Sequence, residues 1–167
     1  MSLSGRKIAI AGGASGIGLA TARLLASSGA HISLADSNPS VEAETEALPG
    51  GLDHHMHTII DVRSADAVNS WIESTVKRFG RLDGAVNMAG ILTEAKPLVD
   101  TKDVDWELSF AVNAKGVFNC LRAEIRAMSK DGDVGGSIVS ALSILLHDLS
   151  PHFTRAILSQ SVFCDEC

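Results

Sequence analysis

The string AGGASGIG at residues 11–18 places Gly12, Gly16 and Gly18, with Ser15 between them, at the junction of a short apolar run and a helical pattern. Glycine at those three places serves one chemistry well. The turn is tight, the backbone must come close to a pyrophosphate, and the helix must start hard against the strand, so that free N–H groups and the positive helix end hold the anion. Asp36 follows eighteen residues after Gly18, at the end of the next apolar run. A carboxylate there accepts hydrogen bonds from both ribose hydroxyls and repels a 2′-phosphate. The pair of features points to a dinucleotide site that favours NAD(H) over NADP(H), and no lysine or arginine adjoins Asp36 or the glycine turn in sequence to offset that repulsion.

Other chemistry-bearing residues read more plainly. His54, His55 and His57 lack a thiol nearby in sequence and are expected as loop and strand-entry residues, with no metal site. Cys164 and Cys167 have metal-ligand spacing, yet two thiolates without a second pair do not complete a zinc site. His147 and His152, with Arg155, are expected as solvated tail residues. Cys120 reads as a small buried hydrophobe, and Trp71 and Trp106 as helix packing residues.

These groups must be positioned by an alternation of short and long elements. KIAIA at 7–11, HISLA at 31–35, MHTII at 56–60, GAVNM at 84–88 and SIVSA at 137–141 have the apolar, β-branched content of strands. Between them, residues 17–28 put Ile17, Ala20, Leu24 and Leu25 on one helical face and stop at Gly29. Residues 64–79 do the same with Ala65, Val68, Ile72, Val76 and Phe79, stopping at Gly80. The longest pattern, 103–129, predicts Val104, Leu108, Val112, Phe118, Leu121, Ile125 and Met128 facing inward. Apolar strands joined by helical crossovers imply an α/β fold, a doubly wound parallel sheet of the Rossmann-like kind.

Bulk composition agrees with a soluble setting. A length of 167 residues with 46% hydrophobic content suits one domain. The formal charge of −6, with no basic cluster denser than Lys77-Arg78, argues against a nucleic-acid partner. Three cysteines make no disulfide framework, which fits a reducing cytoplasmic location. No apolar run approaches the roughly 18 residues that crossing a membrane requires, so no membrane partner is expected.

The spacing Gly-x-x-x-Gly-Ile-Gly, with Gly12, Gly16, Ile17 and Gly18, resembles the signature of the short-chain dehydrogenase/reductase family. Further matches follow in order over residues 5–143. Asp61-Val62 is similar to the family's adenine-contacting pair, and Asn87-Met88-Ala89-Gly90 resembles its Asn-Asn-Ala-Gly motif. Asn113 sits where the family keeps a structural and relay asparagine, and Gly136-Ser137-Ile138-Val139 aligns Ser143 with the catalytic serine. Two positions depart: Ala11 stands where threonine is usual, and Met88 replaces the second asparagine. The resemblance implies an NAD(H) cofactor, a small alcohol or ketone as substrate, and pairing with itself or with a homologue.

It also implies a tyrosine that exchanges the substrate proton and a lysine four positions later that lowers the tyrosine's pKa, because a phenol near pKa 10 needs a neighbouring cation to serve as acid or base. The sequence has no tyrosine, and its last lysine is Lys130, ahead of Ser143. The resemblance fades after Ser143, so residues 1–146 read as an incomplete dinucleotide-binding domain and 147–167 as a divergent tail. Expectation is therefore a truncated, catalytically inactive relative, a pseudoenzyme whose tail is either a natural ending or the product of a disrupted reading frame, with an active NAD(H)-linked oxidoreductase as the alternative. In the tail, Ser150 and Pro151 open a helical pattern with Phe153, Ala156, Ile157 and Phe163 as its apolar stripe. Without the sixth strand of such folds, the fifth strand is either capped by that predicted helix or, as the favoured expectation, left as an open apolar edge prone to pairing or aggregation.

Overall fold

The computed structural model describes residues 3–93, 98–129, 136–146 and 156–161. Five parallel strands form the sheet: β1 (Lys7–Ala11), β2 (His31–Asp36), β3 (Met56–Ile59), β4 (Gly84–Asn87) and β5 (Ser137–Leu146). Their order is β3-β2-β1-β4-β5, so the chain runs outward from β1 first in one direction and then in the other. That reversal opens a crevice at the carboxyl ends of β1 and β4, where ligands of doubly wound sheets sit.

Both faces of the sheet are covered, as continuous apolar strands require. Ile8 and Ile10 of β1 point to one layer with Ile32, Leu34 and Val86, under α1 (Gly16–Ser27) and α2 (Val41–Glu46). Ala9, Ala11, Ala85 and Ile138 point to the other, packed by α4 (Ala65–Phe79) and α6 (Val117–Met128). The period of two in β1 thus splits the core into two halves. Trp71 is the largest fully buried side chain, and its Nε1–H donates to Ser33 Oγ at 2.8 Å, which satisfies the indole within the core.

Strands β1 to β4 and the ends of α1 and α4 fall where the sequence predicts them, and β5 starts as predicted but runs on past 141 to Leu146. Gly80, at φ +86°, closes α4 in the left-handed conformation that glycine adopts readily. In α4 Val68, Ile72 and Val76 face the core as expected, but the buried face of α1 differs. In α1 the sheet-facing residues are Gly18, Leu19, Ala22 and Ala26, while Ile17 and Leu24 are 72% and 68% exposed. Small residues at four-residue spacing bring this helix close to β1 and β2, and large side chains there would hold it off. Two short helices, α2 and α3 (Gly51–His54), were not anticipated from the sequence.

The long pattern at 103–129 is one helical path in three parts: α5 (Asp103–Phe110), a π-helical stretch (Ala111–Gly116) and α6. The wider turn shifts the inward face. Val112, Leu121 and Met128 pack on the core as expected, and Val117, Asn119, Cys120, Ala123 and Glu124 are buried with them, whereas Phe118 and Ile125 after the wider turn, and Val104 and Leu108 before it, are exposed.

The tail departs most. Ala156–Ser161 is not part of a helix but strand β6, antiparallel to β5, in register from Ala141↔Ser161 to Leu146↔Ala156. A sheet edge with unpaired backbone groups recruits a strand, and that tertiary demand overrides the helical pattern. The expected open edge is covered along 141–146 by this strand. Ser150, Pro151, Phe153 and Phe163 of the predicted helix lie outside the described residues, as do His147, His152, Arg155, Cys164 and Cys167.

Candidate functional site

The turn after β1 is built by close approach. The Gly12 and Gly13 N–H groups both donate to Ala35 O of β2, at 2.8 and 3.1 Å, which folds the chain back over the sheet end. Gly12 has φ +80°, and a Cβ there would lie 2.5 Å from Ala89 N; a Cβ on Gly18 would lie 2.0 Å from Gly12 O. Only glycine fits at either place. Ser15 precedes the first turn of α1 in extended conformation, and its side chain makes no capping bond. The first-turn N–H groups at Gly16, Ile17 and Gly18 have no carbonyl within the helix to reach, which leaves them as donors at the cleft.

Asp36, at the end of β2, is doubly engaged. Its Oδ2 accepts the Ala14 N–H at 3.0 Å and its Oδ1 accepts the Asn38 N–H at 2.9 Å. The carboxylate therefore ties the glycine turn to β2 while it lines the cleft. Beyond β3, Asp61 is gripped by Arg63, whose Nε donates to Oδ2 at 2.8 Å and whose Nη2 does so at 2.5 Å. These bonds hold the Asp61 carboxyl below the usual carboxylate range. Val62 is buried beneath, and its carbonyl accepts from Asn119 Nδ2 of α6 at 3.0 Å.

The loop after β4 forms the opposite wall. Asn113, in the π-helical stretch, bonds one residue of that loop twice: Oδ1 accepts the Ile91 N–H at 2.8 Å and Nδ2 donates to Ile91 O at 2.9 Å. Gly90 lies so near that a Cβ would be 3.4 Å from Asn113 Oδ1. Asn87 sits one layer behind, buried, and its Nδ2 donates to Glu124 Oε2 at 2.9 Å and to Ser140 Oγ at 3.2 Å. Burial pushes the Glu124 carboxyl up to about 7, against the opposing pull of the bond from Asn87. Ser143 lies on β5 opposite Ser159 of β6, two residues beyond Ala141, which lines the cleft.

Together these walls enclose a cleft of about 720 Å³. It gathers Gly12, Ser15, Gly16, Ile17, Gly18, Asp36, Asp61, Val62, Ala89, Gly90 and Asn113 in one place, from five separate stretches of sequence. Sequence reasoning missed Arg63, Asn119, Glu124 and Ser140. Arg63 had a signal, standing two residues after Asp61. Glu124 and Asn119 had none, since polar residues in an amphipathic pattern read as a solvated face. The histidines do not converge on a metal: His54 stacks on His31 with ring centroids 5.0 Å apart, and His55 is buried separately. Among the described residues no group of three His, Cys, Asp or Glu side chains is placed to hold an ion.

The comparisons with known proteins agree with this arrangement. A family model described as enoyl-(acyl carrier protein) reductase matches residues 12–158. The short-chain dehydrogenase/reductase ABA4 of Pyricularia oryzae is 39% identical over 147 residues, which is 85% of this chain and 53% of that protein. Chanoclavine-I dehydrogenase of Claviceps purpurea is 40% identical over 154 residues, 86% of this chain and 58% of the relative. Among solved structures, NAD+-bound xylitol dehydrogenase superposes with a TM-score of 0.78 at 30% identity, covering 84% of this chain and 54% of that one. Levodione reductase superposes at 0.76 with 32% identity, over 82% and 54%. The chain thus spans about half the length of the relatives it matches. With the glycine turn, the acidic residue ending β2 and the asparagine-clamped loop all in place, the chain belongs to the short-chain dehydrogenase/reductase family.

Proposed function

We propose that a chain of these 167 residues binds NAD(H) in the cleft and does not turn it over. The observation that carries the reading is Asp36, a carboxylate on the cleft wall bonded to the same turn that would cradle the pyrophosphate. The residues fit the group: Gly12 and Gly18 leave room only for backbone, and the first turn of α1 supplies donors for phosphate oxygens. Arg63 lines the same cleft, but its guanidinium is paired with Asp61 and does not offset Asp36 against a 2′-phosphate. The xylitol dehydrogenase neighbour, itself NAD+-bound, supports the same choice of cofactor.

Bound there, the nicotinamide would give or take the hydride that interconverts a secondary alcohol and a ketone. In the family's scheme Ser143 would orient the substrate oxygen and Asn113 would serve a proton relay. The acid of that scheme has no counterpart among these residues, which include no tyrosine and no lysine after Lys130. Binding without turnover is what this combination supports, in a cytoplasmic setting where a free Cys120 stays reduced.

Titrating the 167-residue protein with NADH and NADPH, and then assaying it with a panel of small alcohols and ketones, tests both halves. NADH binding in preference to NADPH with no turnover is the expected result. Turnover at an ordinary dehydrogenase rate removes the inactive reading, and equal affinity for the two coenzymes removes the role of Asp36.

A second reading, pairing with another copy or with a full-length homologue, is favoured by one feature. Trp106, Phe110, Phe118 and Ile125 leave an exposed apolar strip along α5 and α6. Sedimentation of the protein alone and mixed with such a homologue decides it, a lone monomer in both cases excluding the pairing.

A further inference from the structure

Asn87, Glu124 and Ser140 meet between β4, α6 and β5 where solvent does not reach, at 1%, 0% and 4% exposure. Both Asn87 amide hydrogens are spent, one on Glu124 Oε2 and one on Ser140 Oγ. Two acceptors remain without a donor: Asn87 Oδ1 and Glu124 Oε1. Buried acceptors left unpaired are costly, and a carboxylate among them more so. A single proton resolves both deficits, because a carboxylic acid can offer its O–H to an amide carbonyl while its other oxygen takes the amide N–H.

We propose that Glu124 is held as a neutral carboxylic acid that donates from Oε1 to Asn87 Oδ1, and that this acid–amide pair is a positioning device for the coenzyme-binding loop Met88–Gly90. The second half rests on the NAD(H) reading above. The path from pair to loop is short. Asn87 is the last residue of β4, in register with Ala11 on one side and Ser140 on the other. The next N–H, of Met88, donates to Ala11 O at 2.9 Å, and Met88, Ala89 and Gly90 then line the cleft. Gly12 approaches Ala89 with no room for even a methyl group, so a small turn of the Asn87 side chain and its strand end has no slack to absorb it.

The surroundings favour the neutral form. Cys120, one turn earlier on α6, is a titratable neighbour whose buried thiol is pushed up by burial and by Glu124. Arg122 of the same helix directs its guanidinium to Phe118, 5.1 Å from the ring centroid. Glu73 and Lys77 of α4, with Arg126, line the outer groove between α4 and α6. From β4 and β5 the polar groups that face Glu124 are Asn87 and Ser140 themselves. Burial with no bonded cation is the setting in which a carboxyl keeps its proton near neutrality. Ionising it would set a negative charge against the Asn87 carbonyl oxygen and loosen the strand end that leads into the loop.

Glu124→Gln tests the pair, since a glutamine amide offers the same donor and acceptor without a proton to lose. Infrared difference spectra of the full chain against E124Q, at about pH 6 where exposed carboxyls are ionised, should show one protonated-carboxyl band that disappears by about pH 9. NADH affinity of the unmodified protein should fall by about tenfold between those limits, while E124Q keeps its affinity throughout. Absence of the band at the lower pH overturns the pair. Parallel pH profiles for the two proteins overturn the positioning role. If neither protein binds NADH at any pH, the dinucleotide reading and the positioning role fall together, and the infrared band still decides whether the acid–amide pair exists.

Discussion

Asp36 Oδ2 accepts the backbone N–H of Ala14 at 3.0 Å, so the carboxylate that would meet the ribose also fastens the turn that would meet the pyrophosphate. Two variants separate these duties. Asp36→Ala loses both accepted backbone bonds and should cost about tenfold in NADH affinity together with a fall of a few degrees in Tm. Asp36→Asn keeps an oxygen for Ala14 and removes the charge, so it should retain most of the Tm and narrow the gap between NADH and NADPH. Titration of both coenzymes against each variant, beside a thermal melt, measures this. An unchanged coenzyme preference in both variants excludes the ribose role.

Gly12→Ala places a methyl group 2.5 Å from Ala89 N in a backbone conformation, φ +80°, that L side chains rarely adopt. Neither partner can yield, because Gly12 N is bonded to Ala35 O and the Met88 N–H to Ala11 O. The variant should lose at least about 2 kcal/mol of stability, and its NADH binding should disappear even where it remains folded. Chemical denaturation and a binding titration on the same sample check the two effects. A fully stable variant would show that the turn can open.

The glycine turn was legible because it is a local device: spacing along the chain and geometry in space are nearly the same thing there. The first four strands and the start of the fifth were legible for the same reason, whereas the crevice follows from a strand order that only the assembled sheet shows. What was not legible depends on distance. Ile17 and Leu24 look like an inward face in the sequence, yet Ala22 and Ala26 occupy it, because how closely α1 sits on the sheet is decided by β1 and β2. Glu124 and Asn119 look like solvent-facing residues until α6 is laid over β4 and β5. After the π-helical stretch at Ala111–Gly116, Leu121 and Met128 still pack on the core while Phe118 and Ile125 turn outward, and no residue in AVNAKG announces the wider turn. The tail strand β6 follows from an edge that exists only once the sheet is assembled.

His55 predicts an acid limit to stability. The ring is buried, its Nδ1 accepts the Ile32 N–H at 3.1 Å, and its other nitrogen reaches Pro49 O at 2.9 Å. Nδ1 must be unprotonated to accept, so the neutral ring carries its hydrogen on Nε2 and donates it to Pro49. Burial lowers the His55 pKa, partly opposed by the Pro49 bond. A folded pKa below the unfolded one means that the unfolded chain binds the proton more tightly. The stabilisation is therefore fully present above the ordinary histidine range and is lost as pH falls through the folded value. Tm should decline between about pH 7 and pH 5. His55→Asn, which keeps an acceptor but not the titration, should begin with a lower Tm and decline less. Equal slopes for the two proteins would move the acid sensitivity elsewhere.

Cys120 offers a probe of how tightly the α6 layer is closed. It is buried at 1% exposure, and burial, reinforced by the neighbouring Glu124, drives its thiol far above the usual range. The thiolate is the reactive form, so both access and ionisation oppose modification. In a Cys164→Ser, Cys167→Ser background, Cys120 is the sole thiol left in the chain. Its alkylation in the native state should be about a thousandfold slower than in denaturant, and it should proceed only through opening of α6 from β4 and β5. NADH should slow it further if the coenzyme clamps the Met88–Gly90 loop, since a ligand that binds only the closed form raises the cost of opening. Labelling followed by mass spectrometry, with and without NADH, reads both effects. Rapid native labelling would show that α6 is not packed as the fold requires.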